Sequence, residues 1–179
     1  MRIEPNLSTT SFSDVPNGSV LIARMGPRKI IQGVKAFHSE ENGSESSYFV
    51  TMGPFFDEHG SRPVVYDPAD LDTALMFDAT PSTRLSYSLR PGDIAVKAFD
   101  QAAEEPNAGE LLFALGRTLL TVANFGRAGQ GQVAYLNLEN GELSGLPDEP
   151  TFFSLSHWCL ETLGAGGDVT NAEEFSTAD

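Results

Sequence analysis

A chain of 179 residues is long enough for one well-buried core and short for two, since domains usually run to roughly 100–150 residues. Eleven basic residues against 25 acidic ones give a net charge of −14, the wrong sign for neutralising phosphates, so nucleic acid and anionic membrane surfaces are not expected as partners. An apolar content of 40% with 12 Phe argues for a folded chain, and no apolar run approaches the ~18–20 residues of a membrane span.

The acidity is uneven. All 11 basic residues and 16 acids lie in 1–127, whereas 128–179 holds nine acids and no Lys or Arg. A basic partner protein is electrostatically favoured, but the same charge serves plain solubility, which is the more ordinary reading of it. The single cysteine, Cys159, rules out an internal disulfide and a thiolate metal cluster. With no apolar signal core in Met1–Ser8, the expected compartment is the cytoplasm.

In chain order, residues 1–18 read as a polar extended arm ending in the Asn17-Gly18 turn. Val20–Ala23 and Lys29–Phe37 are predicted strands joined by Met25-Gly26-Pro27, with Gly33 read as a bulge. The acidic, serine-rich loop His38–Ser47 returns the chain to a third strand at Tyr48–Met52. A short strand is expected over Arg62–Tyr66. Asp67-Pro68 then has the form of an N-cap followed by a first-turn proline, favouring a short helix near 68–76 over a strand at Ala74–Phe77.

Arg84–Leu89 alternates strictly and is predicted to turn through Pro91-Gly92-Asp93 into Ile94–Phe99. Leu111–Leu115 and Thr118–Phe125 flank Gly116-Arg117, and their nearly continuous apolarity predicts a central hairpin buried on both faces. Gln132–Leu138 and Glu142-Leu143 form another hairpin through Asn140-Gly141. Phe152, Leu155, Cys159 and Leu163 stand at helical spacing between Thr151 and Gly164, predicting a terminal helix packed on the sheet with Cys159 as an inert, buried thiol. The expected fold is α+β, mainly antiparallel β, as a curved sheet or partly open barrel with a short middle helix and one C-terminal helix. Residues 1–164 are expected as a single globular domain and 165–179 as a flexible acidic tail.

Chemistry-bearing residues are sparse. His38 and His59 follow predicted strands and sit among acids, Asp57 included. Imidazole plus carboxylate suits a divalent metal, but no spacing matches a metal motif, so no metal and no cofactor are expected. Arg24, Arg28 and Lys29 form the one local concentration of positive charge, a candidate for an anionic ligand or an acidic partner patch, or simply a protected strand edge. Arg127 lies in the glycine-rich loop Gly126–Gly131, which lacks the following helix that a phosphate cradle needs. His157-Trp158-Cys159 suggests a Cys–His pair, but residues two apart point away from each other on a helix. No Gly-x-Ser-x-Gly nucleophile motif occurs.

The run Gln132–Gly141, followed by Phe152-Phe153-Ser154-Leu155 and the terminal helix, resembles the end of the SUKH bacterial immunity domains. The helices with which those domains begin have no counterpart in residues 1–30. The resemblance implies an immunity-like protein. Without it, the residues favour a non-enzymatic interaction or ligand-binding module. A hydrolase-type enzyme, with carboxylates and histidines converging from separate loops, is the alternative.

Overall fold

The computed structural model describes residues 8–25, 29–52, 63–68, 76–78, 82–86, 94–98, 107–114, 116–124, 132–145, 151–155, 157–163 and 168–176. Alternating segments punctuated by glycine turns become strands throughout. They are β1 (Ser8–Thr10), β2 (Val20–Met25), β3 (Lys29–Ser39), β4 (Glu45–Thr51), β5 (Val64–Tyr66), β6 (Met76–Asp78), β7 (Ser82–Ser86) and β8 (Ile94–Ala98). The second half adds β9 (Leu111–Ala114), β10 (Arg117–Asn124), β11 (Gln132–Asn137), β12 (Leu143–Ser144), β13 (Thr151–Leu155), β14 (His157–Leu163) and β15 (Val169–Ser176).

The described strands form a 12-stranded open sheet, β1-β6-β2-β3-β4-β5-β10-β9-β13-β8 with β11 and β12 branching from β10, and a 3-stranded sheet, β15-β14-β7. The predicted meander β2-β3-β4 is present, and it extends to β5. Among the described strands all ladders are antiparallel except that of β5 with β10, where Ala123 lies beside Val64. That parallel pair makes the large sheet mixed, and joining it takes the long excursion from Tyr66 to Arg117 that parallel neighbours require.

β10 is the hub. One edge pairs with β11 from Leu119 to Asn124. The other is shared, its first half pairing with β9 and its end with β5. Leu111, Leu120 and Val122 join the main core with Val34, Ala36, Val50, Leu136 and Leu155. Leu112, Ala114 and Leu119 pack on the opposite face with Tyr135 and Phe152. The hairpin is thus buried on both faces, as its continuous apolarity predicts. Its turn is displaced by one residue: Ala114 pairs with Arg117, so Arg117 already belongs to the strand, and Gly116 takes φ +74°.

The expected C-terminal helix over Thr151–Gly164 is replaced by β13 and β14. β13 lies between β9 and β8 in the large sheet, and the next strand, β14, belongs to the small sheet. Phe152 is buried in one core cluster, Leu155 in the other, and Phe153 between them is 54% exposed. A three-residue spacing that reads as one helical face therefore also fits two faces of a strand. Thr151, Phe152, Phe153, Trp158 and Thr162 supply the β-branched and aromatic character that favours the strand. Cys159 is half-buried, on the face of β14 away from Trp158, rather than sealed in a core. Val169–Ser176, expected within a tail, pairs with β14 along its length. Among the described residues there is no α-helix. Of the expected middle helix, Met76–Asp78 is strand and 69–75 lies outside the described residues.

Trp158 fastens the two sheets together. Its ring is buried among Leu111 and Leu155, and its Nε1 donates to the Gly109 carbonyl at 2.8 Å, satisfying the one polar atom that burial would orphan.

A second anchor lies on the other face of β3, where Lys35 is only 5% exposed. Its ammonium donates to the carbonyls of Phe12 (3.0 Å), Ser13 (3.2 Å) and Val15 (2.7 Å), and it stands 5.1 Å from the centre of the Phe12 ring. Those carbonyls belong to the 3-10 turn Phe12–Asp14 and the residue that follows it; the Phe12 carbonyl also accepts the Val15 N–H at 3.3 Å, while those of Ser13 and Val15 lie past the last bond of the turn. The N-terminal segment is thereby strapped over the sheet, burying Phe12 and Val15. Burial lowers the pKa of Lys35 from the ordinary lysine value, against the opposing pull of the Asp14 carboxylate.

Gly33 is not a bulge, because register runs through it unbroken on both sides. It is glycine because the Phe49 ring lies over it: a Cβ there would stand 2.5 Å from Phe49 Cζ and would collide with the Val50 carbonyl. Gly33→Ala should lower unfolding free energy by on the order of 1–3 kcal/mol in a denaturant titration through this overpacking. Gly145, with open space around the same position, should tolerate alanine within about 0.5 kcal/mol.

Lys35→Met keeps much of the side chain's bulk but removes the donor from three carbonyls, of which only that of Phe12 retains the Val15 N–H, and should cost on the order of 2–4 kcal/mol. The native lysine, with its lowered folded-state pKa, sheds its proton before the unfolded chain does. Its contribution should therefore rise with pH between that lowered value and the ordinary lysine value. Denaturant titrations of both proteins across this range should show the extra slope only in the native chain.

Candidate functional site

The far end of β3 carries a hydrogen-bonded polar constellation. The tip joining β3 to β4 is closed by Glu40 N–H donating to the Ser44 carbonyl and Gly43 N–H donating to the Glu40 carbonyl, each at 2.9 Å. Asn42 tightens it by accepting the Ser44 N–H on Oδ1 at 2.7 Å. Three side chains then converge on the Glu40 carboxylate: Ser44 Oγ at 2.9 Å, Asn42 Nδ2 at 3.1 Å and Ser46 Oγ at 3.3 Å. These bonds, led by Ser44, lower the Glu40 pKa, with the nearby His38 adding to the shift.

The turn between β11 and β12 sits beside this hairpin. Phe37 N–H donates to the Gly141 carbonyl at 2.9 Å, and Phe37 bridges to Glu142. His38 Nδ1 lies 2.9 Å from the Leu143 carbonyl. A carbonyl only accepts, so Nδ1 carries the hydrogen, and in neutral imidazole the lone pair is on Nε2. Glu40, Glu41, Glu45, Glu139 and Glu142 are thus gathered at one end of the sheet, in segments 38–46 and 138–145 that contain no Lys or Arg.

Of the candidate basic residues, the two that are described lie elsewhere. Arg24 pairs with Ile30 and Lys29 with Met25, placing both backbones at the β2–β3 turn. That turn is separated from His38 by nine residues of β3, roughly 30 Å of extended strand. Arg28, Arg127, His59 and Asp57 fall outside the described residues. The convergence of His38 with His59 and Asp57 is therefore not on view, and among the described residues no three His, Cys, Asp or Glu side chains are grouped to hold a metal. On β14, His157 and Cys159 share a strand face, His157 exposed and Cys159 half-buried. No helix of the described chain is long and apolar enough to cross a membrane.

Sequence reasoning missed Lys35. The signal was a lysine flanked by Val34 and Ala36 within a strand, on the same face as Gly33 and Phe37. Alternation makes such a position outward, and only the strap covering that face turns it into a buried one.

The Glu40 carboxyl should titrate below the ordinary glutamate range. Its bonds favour the closed tip at pH above the ordinary value, and that contribution should be lost as pH falls through the lowered folded-state value. An NMR titration of the Glu40 side chain should show the lowered midpoint in the native protein and a return towards the ordinary value in Ser44→Ala. An unchanged midpoint in the variant would assign the shift to another cause.

Comparison with models of protein families, with curated proteins and with solved structures finds no match for this chain. The likeness of its C-terminal region to SUKH immunity domains also loses the terminal helix on which it rested, since β13 and β14 occupy that stretch.

Proposed function

We propose that the chain is a non-enzymatic protein-interaction module whose acidic hairpin end receives a basic partner. The observation supporting this reading is the Glu40 carboxylate, held in one orientation by Ser44, Asn42 and Ser46 among described segments, 38–46 and 138–145, that contain no Lys or Arg. An exposed acid ordinarily keeps its rotamer freedom and gives it up on binding; a carboxylate already tied into a turn has less to lose. The overall charge of −14 would steer a cationic partner towards the molecule, and the fixed end would orient it.

Capture from the native host's lysate, followed by kinetics with the captured protein at two salt concentrations, tests this. Association should slow about tenfold or more as salt screens the exposed charges, while dissociation changes by less than about threefold. Glu40→Gln, Glu41→Gln and Glu45→Gln together should reproduce most of the loss at low salt. A partner that binds the triple variant as fast as the native protein, or an association rate indifferent to salt, would remove the acidic end from the interaction.

A further inference from the structure

Three Asn-Gly pairs occur in the chain: Asn17-Gly18, Asn42-Gly43 and Asn140-Gly141. In such a pair the glycine backbone nitrogen can attack the asparagine Cγ with no side chain on the following residue in the way. The N–Cγ bond forms, the Cγ–Nδ2 bond breaks, and ammonia leaves with the glycine N–H proton. Water then opens the cyclic imide at either carbonyl, giving aspartate or isoaspartate. The balance is one water in and one ammonia out, with no change of oxidation state.

Two of the pairs are nearly identical in local chemistry. Each follows a glutamate, in Glu41-Asn42-Gly43 and Glu139-Asn140-Gly141. In each, Oδ1 accepts the backbone N–H two residues on, from Ser44 at 2.7 Å and from Glu142 at 2.9 Å. That donor faces the oxygen on which negative charge develops during attack. In each, Nδ2 donates to a glutamate carboxylate, Glu40 at 3.1 Å and Glu142 at 3.4 Å. In each, the glycine N–H is engaged with a carbonyl, that of Glu40 at 2.9 Å and that of Asn137 at 2.8 Å. The nitrogen must leave that carbonyl to attack, so the rate in the folded protein follows the local opening of each turn.

The opening is where they differ. Asn42 and Gly43 are exposed at a hairpin tip, and space around Gly43 is empty to 4 Å from where a Cβ would stand. Gly141 is buried, and a Cβ there would lie 2.5 Å from Gly18 N and 2.9 Å from the Lys35 carbonyl. Its own carbonyl accepts the Phe37 N–H, while Gly18 N–H donates to Lys35 at 2.8 Å. Opening either of these turns disturbs the middle of β3; opening the tip disturbs only the tip.

We propose that Asn42 is a site of spontaneous deamidation in the folded protein, with water as co-reactant, and that the Gly18–Gly141 contact protects Asn17 and Asn140. The product replaces the amide donor to Glu40 with a second carboxylate beside the first. The isoaspartate form also adds a methylene to the backbone at a turn held by the Ser44 N–H. The inference rests on the covalent chemistry and the packing, and it stands whether or not the acidic end binds a partner.

The test is a time course of the full chain in mildly alkaline buffer, once folded and once unfolded in urea, with peptide mass spectrometry scoring each asparagine. In urea the three should react at comparable rates. In the folded protein Asn42 should deamidate at least about tenfold faster than Asn17 and Asn140, equivalent to ~1.4 kcal/mol less opening free energy. Heavy-oxygen water should place its label in the new carboxyl group at Asn42. Equal rates at the three sites in the folded protein, faster reaction at Asn140 or Asn17, or an Asn42 that stays intact while the unfolded chain reacts would each overturn the assignment.

Discussion

The contact between Lys35 and the N-terminal 3-10 turn fixes the segment that precedes β2 against the outer face of β3. An ammonium buried without partners is prohibitively costly, and a turn covering a sheet face leaves carbonyls that water cannot reach. Each meets the other's need: three N–H donors for the Phe12, Ser13 and Val15 carbonyls. The backbone of the same residue completes the join, with Lys35 N–H donating to Ser19 and its carbonyl accepting from Gly18. Gly18 in turn abuts Gly141, which places the β11–β12 turn alongside Phe37. The acidic end of the sheet is assembled by this chain of contacts, since it brings Glu139 and Glu142 beside a hairpin about a hundred residues away in sequence.

On the opposite face of β3 the core is organised around β10. Its pairing with β11 on one edge and with both β9 and β5 on the other leaves no side of Leu119–Val122 facing solvent. Glu110 and Thr121 bridge the gap in the ladder, the Glu110 carbonyl accepting from both the Thr121 N–H and its hydroxyl. Because the pairings of β5 with β10 and of β13 with β8 and β9 join distant segments, loop closure precedes the reward of burial there, and folding is expected to be slowed by these non-local steps.

Charge is distributed along β3 rather than scattered. Arg24 and Lys29 stand at the turn where the strand begins, and the glutamate-rich tip stands where it ends. Among the described residues, the tip segments 38–46 and 138–145 carry five glutamates and no Lys or Arg, so their negative charge is not offset from within those segments. The ordering of Glu40 by two serines and an asparagine turns a generic acidic surface into one with a defined orientation.

The chain by itself determined the turns and the strands between them. Asn17-Gly18, Asn42-Gly43 and Asn140-Gly141 are turns because glycine takes positive φ at no steric cost, and the apolar hairpin around Gly116 is central because both of its faces avoid water. What it left open were the features decided by what lies across from a residue. The spacing of Phe152, Leu155, Cys159 and Leu163 fits a helical stripe as well as a strand that turns from one sheet into another, and only the partners β9, β8, β7 and β15 select the strand. Gly33 looked like a bulge until the Phe49 ring from the neighbouring strand filled its place, and Lys35, which the local pattern did not mark out, is buried only because the N-terminal strap covers it. Local pattern reports the backbone angles and the apolar faces, which are short-range properties of the chain. Burial of a particular side chain is a long-range one, set by segments that reach it only in the folded molecule.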